Sequence, residues 1–579
     1  MKLCVTTQAQ RLAYDSDQTP AVSVEKVSFA YESSALRALT AVSFSQRRGE
    51  MIGILGASGA GKSTLAKCLN YVIPGFEEGR FEGVVRIGGR ALGGGRVSDY
   101  APLVGMVFQD FEAQLFSTNV AHEVAFAMEQ VGMDRAEMAG RIGPALEAVG
   151  LSGFEHRDPT SLSGGEKQRL AIAAVMALRP SVIVLDEPTT DLDPDGKAEV
   201  FALIRRLRDE GLSLVVIEHE IEEMRGCDRL IILREGRVAA DGPPEEILPR
   251  LDLLEDCGVH QPDFSRLFAR LGLTDYARSV DEAEQILRAR YRPRQAHFTN
   301  GDHAERPSEA RSEPVLIEVD RVSYSYPQGP LVLSDVSLRI APGEFVAIAG
   351  HNGSGKTTLA KQIVGLYQPS SGTIRINGRD RASLPAAESA AFAGYVFQNP
   401  DHQIFSATVD EEVAFGPRNF RLSSDEIERR CLEVLTAVGL TDKRSRDPFL
   451  LGKGERQRLA VASVLALRPR LLILDEPTTG LDWREQRRMM AMITELNRAG
   501  TAIVIISHTP WLVAEYARRV VLMKSGRKTF DGPVRSFFER EDLLAASSFK
   551  MPEITALGRR FGFTALSIEE MAGFFAAIS

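Results

Sequence analysis

One long stretch of this chain occurs twice, and that repeat constrains the fold more than any other feature. Residues 162–193 read LSGGEKQRLAIAAVMALRPSVIVLDEPTTDLD, and residues 451–482 read LGKGERQRLAVASVLALRPRLLILDEPTTGLD. In each copy a glycine-containing turn opens a helix, and a buried strand follows, expected over 182–185 in the first copy. The strand leads into two adjacent carboxylates, Asp186 and Glu187, matched by Asp475 and Glu476. A helix N-terminus presents unpaired N–H groups and partial positive charge, which suits a phosphate. A carboxylate pair at the end of an apolar strand suits a metal ion and an attacking water. A repeat unit this long means two whole domains rather than a solenoid of short units. The 579 residues also exceed what one hydrophobic core holds.

Upstream of each copy an apolar strand runs into a glycine loop and then a helix. The first loop contains Gly56, Ala57, Ser58, Gly59, Ala60, Gly61, Lys62, Ser63 and Thr64; the second contains Gly350, His351, Asn352, Gly353, Ser354, Gly355, Lys356, Thr357 and Thr358. Glycines let backbone N–H groups turn inward around phosphate oxygens, the lysine reaches the terminal phosphates, and the hydroxyl of Ser63 or Thr357 can ligate Mg2+. The span from Lys62 to Gln109 is five residues longer than that from Lys356 to Gln398, and the extra residues are expected near the glycine-rich stretch 83–95.

In this order the motifs resemble those of ATP-binding cassette (ABC) ATPases, and the resemblance covers nearly the whole chain. It implies an α/β fold of two tandem P-loop nucleotide-binding domains. Each would have an antiparallel β subdomain, a helical signature subdomain and a small C-terminal extension. The implied cofactors are ATP and Mg2+. Asp186 and Asp475 match the Walker B aspartates, expected to hold the metal with Ser63, Thr357, Gln109 and Gln398. Glu187 and Glu476 match the glutamates that orient water, and Gln109 and Gln398 match the Q-loop. His219 and His508, each expected to end an apolar strand, match the switch histidine that contacts the γ-phosphate. Tyr31 and Tyr326 stand where the family stacks an aromatic ring on adenine.

The signature is Ser163, Gly164 and Gly165 in the first copy but Gly452, Lys453 and Gly454 in the second, so the second departs from the family pattern. The family pairs its cassettes head to tail, each ATP lying between one domain's Walker motifs and the other's signature. The resemblance therefore implies intramolecular pairing of the two cassettes. It also makes the two sites unequal: faster hydrolysis is expected where Lys356 and Glu476 would face the intact Ser163, the opposite outcome staying open if Lys453 supplies charge to the phosphates.

The segment FQxxxxQxFSxxVxxEVAF, at 108–126 and again at 397–415, resembles the ATPases of energy-coupling factor (ECF) transporters. Those import vitamins, vitamin precursors and trace metals. The implied partners are a transmembrane coupling subunit and a substrate-binding membrane subunit, which would hold the chain at the cytoplasmic face of the membrane. Two other readings stay open: the ATPase of another importer class such as sugar uptake, and a tandem ABC ATPase acting on ribosomes.

Composition narrows the classes further. A net charge of −9 argues against a nucleic-acid groove. The five cysteines, Cys4, Cys68, Cys227, Cys257 and Cys431, lack metal-ligand spacing. No apolar run approaches the roughly 18 residues that span a bilayer. The expected organisation is a lead-in over 1–20, a cassette over 21–250 with its extension over 251–290, a tether over 291–314, a second cassette over 315–545, and its extension over 546–579. The extensions are suggested by PDFSRLFARLGLT at 262–274, which returns as PEITALGRRFGFT at 552–564.

Overall fold

The computed structural model describes residues 19–32, 36–190, 192–219, 221–291, 315–327, 329–547 and 549–578. The expected lead-in and tether lie outside the described residues apart from 19, 20 and 291. The chain forms two compact units. One comprises residues up to Ser265 with Asp482–Arg484; the other runs from Arg266 to Leu481 and from Glu485 onward.

In the first unit, β1 (Val22–Tyr31), β2 (Leu39–Gln46), β4 (Gly79–Ile87) and β5 (Arg90–Ala91) form an antiparallel sheet in the order β2-β1-β4-β5. β2 shows why: Leu39, Val42 and Phe44 are buried while Ala41, Ser43 and Ser45 between them are exposed, the alternation of a sheet covered on one face. The second sheet is built differently. β3 (Met51–Leu55), β6 (Val104–Val107), β7 (Val182–Asp186) and β8 (Ser213–Ile217) are buried along their whole length. Such continuous apolar strands belong in a parallel sheet with both faces covered. With β9 (Arg229–Arg234) and β10 (Arg237–Gly242) they run in the order β10-β9-β3-β8-β7-β6, parallel except for the β9–β10 hairpin.

The second unit repeats both sheets. β11 (Ile317–Ser325), β12 (Leu331–Ile340), β14 (Ser371–Ile376) and β15 (Arg379–Asp380) form the antiparallel one. β13 (Phe345–Ala349), β16 (Ala393–Val396), β17 (Leu471–Asp475), β18 (Ala502–Ile506), β19 (Arg519–Lys524) and β20 (Arg527–Pro533) form the other, in the order β16-β17-β18-β13-β19-β20. The two tandem α/β cassettes expected from the repeat are therefore present, each with its antiparallel subdomain.

Two expectations need correction. The strands before the histidines stop at Ile217 and Ile506, so His219 and His508 lie in the loops beyond them, free of ladder constraints. The five extra residues do not lie at 83–95. Gly83 and Gly372 are equivalent bends, whose added Cβ would strike Glu25 O and Arg321 O. Gly83 already lies five residues further from Lys62 than Gly372 does from Lys356. The insertion therefore falls between the helix Lys62–Leu69 and Gly83, in the turn containing Val72–Gly75. The segment 251–290 has residues in both units, up to Ser265 in the first and from Arg266 in the second. Within the second unit the helix Val280–Arg290 packs on Glu553–Arg560: an Arg288 guanidinium N–H donates to Arg560 O at 2.8 Å, Arg560 pairs with Asp281 at 3.1 Å, and the Tyr291 and Phe575 rings lie 5.1 Å apart.

No helix among the described residues is long and apolar enough to cross a membrane.

Candidate functional site

The strand order assembles each site. In the sequence β3 precedes β6, β7 and β8, but in the sheet the order is β3-β8-β7-β6. The carboxyl ends of four neighbouring parallel strands therefore carry the glycine loop, His219, the Asp186–Glu187 pair and Gln109, the edge where open α/β sheets bind ligands. β13, β18, β17 and β16 do the same for Lys356, His508, Asp475–Glu476 and Gln398.

Backbone space dictates the loop glycines. Gly56 has φ +153° and Gly350 has φ +140°; a Cβ would come within 2.4 Å of Leu233 O and 2.2 Å of Met523 O. No side chain fits there. In the first loop Leu65 N–H is the first to make a helical bond, to Gly61 O, so the N–H groups of Lys62, Ser63 and Thr64 have no acceptor within the helix. Ala57 differs from its expected part, since its N–H donates to Cys257 O at 2.9 Å. Lys62 Nζ donates to Gly56 O and Ala57 O at 2.9 and 3.0 Å, and Lys356 Nζ to Gly350 O and His351 O at 2.8 and 3.0 Å. Each ammonium is thus held over the loop that phosphates would occupy. Burial lowers the Lys62 pKa, opposed by the nearby charges of Glu187 and Asp186. Tyr31 and Tyr326 sit beside this helix start, with hydroxyls 3.0 and 3.2 Å from those of Thr64 and Thr358.

Asp186 is 3% exposed, and burial pushes its carboxyl up to about 6 despite a hydrogen bond from Ser63. Its Oδ1 is buried with no hydrogen-bond partner. An orphaned carboxylate oxygen beside a hydroxyl is a hard-oxygen donor set that fits Mg2+, with phosphates and waters completing the shell. In the second cassette the Thr357 hydroxyl donates to Asp475 Oδ2 at 2.8 Å, and the Tyr395 hydroxyl donates to the same oxygen at 2.7 Å. Burial raises the Asp475 pKa, opposed by these two bonds. The position of Tyr395 is occupied by Met106 in the first cassette. The difference is visible in the sequence, but only the pairing of β16 with β17 puts that hydroxyl on Asp475.

The two glutamates share a strained backbone, φ +48° at Glu187 and +47° at Glu476, a left-handed conformation costly for a side-chain-bearing residue. Their surroundings differ. Glu187 Oε1 lies 2.9 Å from His219 Nε2, while Oε2 accepts from Gln109 Nε2 at 2.7 Å and from the Thr190 hydroxyl at 3.2 Å. Burial raises its pKa, but the hydrogen bond and charge of His219, the charge of Lys62 and the Thr190 bond bring it down to about 2. Glu476 Oε1 meets His508 through Nδ1 instead, at 2.7 Å, and its Oε2 is buried without a partner, so Gln398 does not reach it.

The signature residues open the helices Gly164–Met176 and Lys453–Leu465 as expected. Ser163 caps the first: its hydroxyl accepts from Glu166 N–H at 3.3 Å and its own N–H donates to Glu166 Oε2 at 2.8 Å. Gly452 keeps only the return bond, its N–H to Glu455 Oε2 at 3.2 Å. Lys453 folds toward the turn at Gly480, where a Cβ would collide with its amine.

The FQxxxxQxFSxxVxxEVAF segment holds residues that sequence reasoning quoted but assigned no task. Gln114 Oε1 accepts from Phe108 N–H, and Gln403 Oε1 from Phe397 N–H, both at 3.2 Å. Glu123 is 4% exposed, and its Oε2 accepts the N–H groups of Phe116 and Ser117 at 3.0 and 2.7 Å. Glu412 does the same for Phe405 and Ser406 at 3.0 and 2.9 Å. The result in each cassette is an outward phenylalanine, Phe116 or Phe405, each 61% exposed. Each is set edge-to-face on Phe126 or Phe415.

A family model described as ABC transporter matches residues 39–190 and 333–479, more than half of the chain. A provisionally named ABC transporter ATP-binding protein of Caldanaerobacter subterraneus subsp. tengcongensis is 44% identical over 558 residues, covering 95% of this chain and 97% of that protein. One so named from Methanosarcina acetivorans is 40% identical over 549 residues, covering 93% and 89%. Among solved structures, cbiO1 from Clostridium perfringens, described as part of the ABC transporter complex cbiONQ, is 33% identical; the match covers 43% of this chain and all of that one, with TM-score 0.38. The family model over more than half of the chain and the relatives at 44% and 40% identity, with glycine loops, carboxylate pairs and histidines assembled twice, make the chain a two-cassette member of the ABC transporter ATPase family, an enzyme that hydrolyses ATP.

Proposed function

We propose that this chain is the energy-coupling subunit of an ECF-type importer, driving uptake of a vitamin, vitamin precursor or trace metal ion through separate membrane subunits, one coupling and one solute-binding. The observation that carries the reading is the device built twice in FQxxxxQxFSxxVxxEVAF. A buried glutamate fixes a turn in the segment that leaves β6 or β16, separated by two strands from the strand carrying the nucleotide loop, and presents an exposed phenylalanine, Phe116 or Phe405, backed by a second ring. Exposed aromatics held by buried charge are costly in a free protein and suit a protein partner. Through such partners the chain would sit at the cytoplasmic face of the membrane.

The chemistry is in-line hydrolysis. Lys62 and Lys356, with the N–H groups at the helix starts, bind the phosphates. Ser63 with Asp186, and Thr357 with Asp475, would hold Mg2+, which when bound would neutralise phosphate charge. Glu187 and Glu476 orient the attacking water and receive its proton, positioned by His219 and His508. Gln109, bonded to Glu187, links the first centre to the partner-facing segment, and Gln398 stands at the same place in the second. Glu476 has a free carboxylate oxygen where both oxygens of Glu187 are engaged, which supports faster turnover in the second cassette.

The test is purification from detergent-solubilised native membranes. Small hydrophobic membrane proteins co-purify with wild type and are lost when Phe116→Ser and Phe405→Ser are combined. Recovery of ribosomes or nucleic acid instead would overturn the transport reading and leave the ATPase intact.

A further inference from the structure

Glu218 immediately precedes His219 and is 3% exposed. Its Oε1 accepts both the N–H and the hydroxyl of Thr189, at 3.0 and 2.6 Å, and its Oε2 accepts the N–H of His219 at 3.0 Å. Thr189 lies two residues beyond Glu187 in the loop leaving β7, and His219 lies in the loop leaving β8. These strands are sheet neighbours, with Glu187 N–H bonded to Ile217 O at 2.9 Å. One carboxylate therefore ties together the two loops that carry Glu187 and His219. A charge this deeply buried is tolerated only when its lone pairs are engaged, and here three donors engage them.

The second cassette lacks the tie. The equivalent residue is Ser507, whose hydroxyl accepts from Thr509 N–H at 3.1 Å, within its own loop. There the histidine meets its glutamate through Nδ1, whereas His219 uses Nε2.

We infer that Glu218 is a positioning residue of the first cassette: it locks the backbone of His219 to the loop after Glu187 and so sets which imidazole nitrogen faces that glutamate. The inference rests on the ATPase chemistry and not on the identity of the transporter. Glu218 touches no reacting atom; it acts through His219. The first cassette carries its Glu–His pair preset by this carboxylate; in the second, His508 meets Glu476 with a serine, bonded within its own loop, in the carboxylate's place.

The test uses the full chain carrying Glu476→Gln, so that single-turnover hydrolysis reads the first cassette. Glu218→Ala and Glu218→Ser speed amide exchange at Thr189 and His219 ten- to hundredfold in nucleotide-free protein, the loss expected for charge-assisted bonds. They lower the hydrolysis rate about tenfold with the ATP concentration for half-maximal rate unchanged within twofold. Added to His219→Ala, Glu218→Ala costs no more than a further twofold, because both act through one group. Glu218→Gln, nearly the same shape, keeps an acceptor for Thr189 but opposes an amide to His219 N–H. It therefore raises exchange at His219 and spares Thr189, and this keeps the inference testable where the alanine variant does not fold. Unchanged hydrolysis despite faster exchange, losses that multiply with those of His219→Ala, or equal exchange of both amides in Glu218→Gln would each overturn the inference.

Discussion

Replacing Glu123 with alanine frees the turn that presents Phe116. The two bonds it accepts, at 3.0 and 2.7 Å, run from backbone N–H groups to one ionised oxygen in a site only 4% exposed. Hydrogen bonds to a charged partner contribute about 1.5–3 kcal/mol each. Losing both lowers the local opening free energy by about 3–6 kcal/mol, or roughly a hundred- to ten-thousandfold in exchange of the Phe116 and Ser117 amides. Global stability changes by less, because the substitution also removes a buried charge. Glu123→Gln keeps a neutral acceptor of the same shape, so its exchange rates fall between wild type and alanine. Glu412→Ala repeats the effect at Phe405 and Ser406. Hydrogen exchange resolved to single amides makes the measurement. If alanine changes exchange by less than about tenfold, or if glutamine and alanine behave alike, the turn is held by something other than this carboxylate.

Other perturbations read the nucleotide sites. Glu187→Gln and Glu476→Gln each lower steady-state ATP hydrolysis, with Glu476→Gln the more damaging by about tenfold or more; equal losses in the two assays would remove the proposed inequality. Asp186 gives a pH signature. Its pKa is raised from 3.8 to about 6, so between those values the folded chain holds a proton that the unfolded chain has released. Stability therefore falls as pH rises through that window, by about 3 kcal/mol without nucleotide. The wild-type minus Asp186→Asn difference in urea midpoint should follow that slope from pH 4 to 7, and a flat difference refutes it. Tyr395→Phe removes a donor from Asp475 Oδ2 and should weaken Mn2+ binding, followed by electron paramagnetic resonance with ATP present, by roughly three- to tenfold. Met106→Leu in the first cassette, which has no hydroxyl to lose, should leave Mn2+ affinity unchanged.

Local chemistry made much of this legible without coordinates. A loop whose backbone must pass within van der Waals range of Leu233 O or Met523 O admits only glycine, and an uninterrupted apolar strand admits only a doubly covered parallel sheet, so both leave linear patterns. The repeat itself announced two domains. The helix openings at Ser163 and Gly452 were equally visible, because capping is a contact over three residues.

What the linear chain could not contain is which residue from a distant segment lies beside which. Strand order in the sheet is not sequence order, and the contacts of Glu218 with Thr189, Tyr395 with Asp475, and Gln109 with Glu187 all cross between neighbouring strand ends. Glu218 reads as one more charge after an apolar run, and Tyr395 as one more aromatic in a strand; burial and a partner across the sheet turn each into a constraint on the site. The placement of residues 266–290 with the second unit has the same origin. Sequence by itself determined the two cassettes, the glycine loops and the chemical groups, because those depend on spacing along the backbone. Tertiary structure alone decided how the carboxylates and histidines of the two cassettes differ, because that depends on packing across it.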